Sequence, residues 1–156
     1  MAAASLGVAL ASVLVVTTVT DLDRRVIPNR ILVAGAIAGL AIIVPTDPAS
    51  LPERALWAAV AGGLLMVGAI AHRDGIGMGD VKLAAVMGLY LGTAVAPALV
   101  IALSAGGVLG LAIVIRDGAA ARERAIPFGP FLALGGIVAL WAGDESVSWY
   151  VDSFLR

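Results

Sequence analysis

The chain has 156 residues, 61% apolar and 13% charged, with no Cys, a formal net charge of −1 and a mean hydropathy of +1.04. Soluble domains carry about 45–50% apolar and about 25% charged residues, so a water-soluble enzyme built around one buried core is excluded. The charge balance also removes a nucleic-acid binder, which needs a basic surface to release counterions. Without Cys, and with His72 as the single His, disulfides, thiolate nucleophiles and Cys or His metal sites drop out together. What remains is an integral membrane protein whose chemistry must use Asp, Glu, Lys, Ser, Thr or backbone groups; no cofactor and no metal are expected.

Uncharged runs cover 1–20, 31–46, 55–71, 83–115 and 125–143, each bounded by a short charged or Pro-containing segment. A helix crosses the hydrocarbon with about 20 residues. The run 83–115 would be about 50 Å long as one helix, too long for a hydrocarbon core of about 30 Å. It is therefore expected to turn back near Gly92–Pro97, at an interface where the freed backbone groups meet water. This predicts an all-α protein of one domain, 1–156, with six transmembrane helices at about 3–20, 30–45, 55–71, 81–93, 97–115 and 127–142. Ala9-Leu10-Ala11 has the small residues of a signal-peptide cleavage site, but no Lys or Arg precedes the first run, so that run is read as a span.

Six spans place 21–30, 72–82 and 116–124 on one face. Lys and Arg then divide eight to two, with Arg24, Arg25, Arg30, Arg73, Lys82, Arg116, Arg122 and Arg124 against Arg54 and Arg156. The positive-inside bias makes the first face cytoplasmic and puts both termini outside. Trp57, Trp141, Trp149 and Tyr150 then fall near the outer ends, as an interfacial aromatic belt would. The tail Asp144–Arg156 has apolar residues spaced for a short helix lying in the outer interface. The charged segment from Arg116 to Arg124 is read as a topology determinant beside anionic lipid.

Two carboxylates fall near the same boundary. Asp21 follows the first span in Thr20-Asp21-Leu22-Asp23-Arg24-Arg25-Val26-Ile27-Pro28-Asn29, and Asp80 begins the fourth in Gly77-Met78-Gly79-Asp80-Val81-Lys82-Leu83. Either can be structural, Asp80 as a helix N-cap and Asp21 as a loop charge. As a pair they can share one proton, so that one acts as acid and the other as base on a water molecule. Intramembrane carboxylates also mark ion pathways, so a small proton- or cation-coupled transporter using the same pair stands as the alternative, and an assembly subunit without activity as a third reading. Gly77 and Gly79 would let a substrate backbone approach the carboxylate. Lys82 either biases the pair or snorkels to the interface.

These residues resemble the type IV prepilin peptidase family, among the membrane Gly-x-Gly-Asp aspartic proteases. The resemblance rests on Asp21 to Asn29, on Gly77 to Leu83, and on Ile126-Pro127-Phe128-Gly129-Pro130-Phe131-Leu132, in family order. It implies hydrolysis of the short basic leader of prepilin-like precursors (pilin, pseudopilin or flagellin) after a Gly at the cytoplasmic membrane surface, with Asp21 and Asp80 as the two catalytic aspartates. Gly77, Gly79 and Lys82 would form the supporting loop, and Asp23 and Asp74 are candidates for holding the basic leader. From the helix ends, Asp80 is assigned as base and Asp21 as acid. Longer family members carry zinc-binding Cys pairs in an N-terminal segment and also methylate the new N terminus. The absence of Cys here leaves methyltransferase activity in question, and a structural zinc is not expected.

Overall fold

The computed structural model describes residues 2–71, 76–117 and 127–154, with side chains from Ala3 to Trp141. Among the described residues there are six α-helices and no strand: α1 (Ala2–Arg24), α2 (Asn29–Thr46), α3 (Leu51–Ala71), α4 (Met78–Leu91), α5 (Val95–Asp117) and α6 (Gly129–Phe154). In lipid every backbone polar group must be satisfied internally, and long uncharged runs can do that only as helices.

Four helical stretches are long and apolar enough to cross a membrane: Ala3–Arg24, Asn29–Thr46, Pro48–Ala71 and Met78–Asp117, the last holding both α4 and α5. The apolar part of α6, Gly129–Trp141, is shorter. Large apolar side chains such as Val19, Ile37, Val67, Ile70, Val108 and Ile115 face outward. Water would not tolerate so extensive an apolar surface, and lipid requires it. The chain is a multi-pass membrane protein.

Contacts between helices fix their directions. Asp21 meets Gly129, Leu14 meets Gly136 and Leu140 meets Gly7, so α1 and α6 run antiparallel. Met87 also reaches Gly136, and the glycine-lined faces at Gly62 and Gly88 join α3 to α4 in opposite directions. Ala98 and Ala102 lie against Gly135, and Phe128 and Phe131 against Gly106, which sets α5 antiparallel to α6. The chain thus reverses between α4 and α5, through a 3-10 turn at Gly92–Ala94. Gly92 has φ +57°, a left-handed conformation that costs glycine little. The C-terminal ends of α1, α3 and α5 and the starts of α2, α4 and α6 therefore share one end of the bundle.

α4 is the central helix. Val81, Leu83, Ala84, Val86, Met87 and Tyr90 are all buried on it, and it touches each of the other five helices. Tyr90 donates its hydroxyl to the Gly35 carbonyl of α2 (2.7 Å).

Several boundaries differ from the sequence reading: α3, α4 and α5 start two to four residues earlier than expected, at Leu51, Met78 and Val95. α1 continues one turn beyond residue 20, so Asp21 lies within the helix and not after it. Arg25 stops α1 by taking a left-handed φ of 52°, while its N–H donates to the Asp21 carbonyl. α6 starts at Gly129 and runs unbroken to Phe154, so the tail is not a separate helix up to that point. The side chains of Trp149 and Tyr150, and residues Arg122 and Arg124, lie outside the described residues.

Candidate active site

Helical periodicity carries Asp21 inward. Leu10, Leu14, Thr17 and Asp21 repeat every three or four residues along one face of α1, and all four are buried. Thr17 satisfies its hydroxyl on the Val13 and Leu14 carbonyls (2.8 and 3.1 Å), so Asp21 is the charged group that this face delivers to the interior. Asp23 lies two residues on, about 200° around the helix by its geometry. It is exposed and pairs with Arg24 (3.4 Å), so the structure does not bring this leader-binding candidate to Asp21.

Asp80 arrives from α4. Gly77, not Asp80, caps that helix, and Asp80 is its third residue. The Asp80 carboxylate reaches back so that Oδ2 accepts the Gly77 N–H at 3.1 Å, the return half of a capping box. Only 7% of Asp80 is exposed, and its Oδ1 is buried without a hydrogen-bond partner among the described residues. A buried carboxylate oxygen left in that state is costly in a purely structural residue. α1 and α4 pack against each other, and both carboxylates lie at the same end of that pair.

The three stretches that carried the family resemblance converge here. Ile27, after the turn that ends α1, lies against Gly79, where a Cβ would come within 2.9 Å of the Ile27 Cβ. Lys82 donates to the Asn29 side-chain oxygen across 2.9 Å, so it ties the start of α2 to α4. The third stretch supplies a contact that the sequence reading missed: the Gly129 N–H donates to Asp21 Oδ2 at 3.0 Å. Phe128 and Phe131 turn their rings toward Gly106 of α5, with centroids 6.1 Å apart. Asp74 and His72 lie outside the described residues.

The helix-end argument for Asp80 as base and Asp21 as acid needs correction. The N terminus of α6 faces Asp21 through Gly129, just as the N terminus of α4 faces Asp80 through Gly77. Asp21 still lies in the last turn of its own helix and Asp80 in the first turn of its own, but each accepts a donor from a helix N terminus, so the macrodipole alone does not assign acid and base. Two buried carboxylates at the same end of one helix bundle, each with one oxygen fixed by a backbone donor, are the kind of groups that can serve as acid and base on one substrate bond.

The model of the Type IV leader peptidase family matches residues 8–115, a stretch that contains both aspartates. The chain belongs to this family. Similar curated proteins are each called prepilin leader peptidase/N-methyltransferase. The one from Bacillus subtilis (strain 168) is 36% identical over 154 residues, covering 96% of this chain and 60% of that protein. The one from Aeromonas hydrophila is 32% identical over 151 residues, covering 92% and 51%, and that from Stutzerimonas stutzeri is 34% identical over 146 residues, covering 89% and 50%. The chain thus spans about half to three-fifths of the length of these relatives. No solved structure matches it.

Proposed function

We propose that this chain is a membrane aspartic endopeptidase that removes the short basic leader of type IV prepilin-like precursors, cutting after a Gly at the cytoplasmic membrane surface. Family membership and the names of the relatives support the substrate class. The observation that carries the mechanism is that two buried carboxylates from separate helices stand at the same end of the bundle, each held by one backbone N–H. One water lies between Asp21 and Asp80 in the reacting complex. The ionised member of the pair takes its proton as it attacks the scissile carbonyl, and the protonated member donates to the carbonyl oxygen. The pair acts as a unit, and no covalent intermediate forms.

The location suits such a substrate. A prepilin has a basic leader followed by an apolar helix, so its scissile bond sits at a membrane boundary, and both aspartates stand at one end of the helical bundle. In the proposed topology six helices cross the cytoplasmic membrane and both termini are outside, with the end that carries Arg24, Arg25, Arg30 and Lys82 facing the cytoplasm. Gly77 gives its N–H to Asp80, Gly79 lets Ile27 pack against the start of α4, and Lys82 holds the start of α2 against it. No observation favours the transporter, which would place its carboxylates near mid-bundle.

The test is incubation of the purified protein in detergent with a prepilin. We expect a product shortened by the leader, and a loss of at least about 1,000-fold in rate for Asp21→Asn or Asp80→Asn, since removing one member of a catalytic unit costs most of its effect. Full cleavage by Asp80→Asn would end the proposal.

A further inference from the structure

The peptidase reading assigns no role to the start of α6, yet this is where the backbone comes closest to Asp21. Gly129 is the first residue of α6 and is buried. The first N–H groups of a helix have no partner within it, so this donor is available for another acceptor, and it is directed at Asp21 Oδ2. A Cβ at position 129 would stand 2.7 Å from that oxygen and 3.2 Å from the Asp21 Cβ and Cγ. No residue with a side chain can place its N–H there without displacing the carboxylate.

Resting on the peptidase reading, we propose that Gly129 is the positioning residue for Asp21: its N–H fixes Oδ2 and so presents Oδ1 to the reacting water and carbonyl. The arrangement mirrors the one at Asp80, where the Gly77 N–H holds Oδ2 and Oδ1 is left without a protein partner among the described residues. The dyad is thus built twice on one plan, a glycine N–H at the start of a helix for each carboxylate. Asp80 receives its donor from its own helix, whereas Asp21, in the last turns of α1, must take one from α6. This gives the third sequence stretch a function: Pro127 and Pro130 flank a glycine that has to meet an aspartate more than a hundred residues earlier.

Replacing Gly129 by glycolic acid during cell-free synthesis exchanges the N–H for an ester oxygen and adds no atom near Asp21. The first N–H of a helix makes no intrahelical hydrogen bond, but the Phe128 carbonyl, which accepts from the Phe131 and Leu132 N–H groups (3.0 and 3.2 Å), becomes a weaker ester acceptor, so the fold of the variant is checked by thermal unfolding. With a prepilin-like peptide as substrate, we expect kcat to fall roughly 10- to 100-fold, the range for losing one hydrogen bond to a charged group, with KM unchanged. The pH–rate profile should move to higher pH, because a carboxylate deprived of a donor holds its proton more tightly. Gly129→Ala should lose more in kcat, again with KM retained. Gly107→Ala, where a Cβ meets nothing within 4 Å, should match the parent chain.

Wild-type kcat in the ester variant, or a fall in kcat with an unmoved pH profile, would overturn the positioning role while leaving the peptidase intact. Failure of the unmodified chain to cleave, or full cleavage by Asp21→Asn, would overturn the peptidase reading and this inference with it.

Discussion

The two ends of the bundle use the same materials for different purposes. At the end away from the aspartates, Tyr90 gives its hydroxyl to the Gly35 carbonyl, and Arg54 donates to the Leu89 and Tyr90 carbonyls (3.3 and 2.6 Å) and to Ser50 (2.9 Å). Donors there meet backbone acceptors, and glycines such as Gly88 let helices touch. At the other end the buried charged groups are acceptors, each carboxylate has one oxygen held by a glycine N–H, and a buried Asp80 oxygen is left over. Polar groups in a membrane interior are tolerated when they lock helices together; left half-satisfied, they mark the place where another molecule must come.

If that contrast holds, breaking the packing end should cost stability and spare the chemistry. A large effect is expected at Gly88, where a Cβ would come within 2.6 Å of the Trp57 carbonyl oxygen and the Ala58 backbone. Neither can move without shifting α3, so Gly88→Ala should destabilise the folded protein by about 2–4 kcal/mol. Thermal unfolding in detergent would measure this, and the molecules that remain folded should keep their cleavage rate. Tyr90→Phe removes one buried hydrogen bond and no packing, for an expected loss of about 1 kcal/mol, with kcat and KM unchanged. A drop in kcat there would mean that the two ends are coupled. Asp23→Asn should have the smallest effect: its pair with Arg24 is exposed, stability should change by less than about 0.5 kcal/mol, and cleavage should stay within about twofold of the parent chain. A large rise in KM would restore Asp23 as a contact for the basic leader.

The helices were legible in the sequence because uncharged runs must be helical in lipid, whereas Asp21 and Asp80 were singled out among the carboxylates at the edges of those runs by the family resemblance. The reversal near Gly92 was legible from length alone. Helix ends were harder. Nothing in Arg24-Arg25-Val26 announces that Arg25 takes the left-handed conformation usually left to Gly or Asn, so the uncharged run alone ends α1 at residue 20 and leaves Asp21 outside it. The sequence does not distinguish a cap at Asp80 from a third helical residue that reaches back to a cap at Gly77. The interior of a membrane bundle is also poorly marked by hydropathy, since lipid-facing and buried positions are equally apolar; α4, buried on most of its circumference, differs little in composition from α5. Gly129 was invisible for another reason. Its contribution is a backbone N–H, and only the long-range contact with Asp21 reveals what it does.

The central claim is that Asp21 and Asp80 work as one unit. It is tested most directly by comparing prepilin cleavage in Asp21→Asn, Asp80→Asn and the double variant, with each protein confirmed as folded in detergent. Each single change should remove nearly all activity, and the double change should cost little more than either alone, as for groups that share one step. Independent, multiplying losses, or a single variant that still cleaves at the parent rate, would contradict the account.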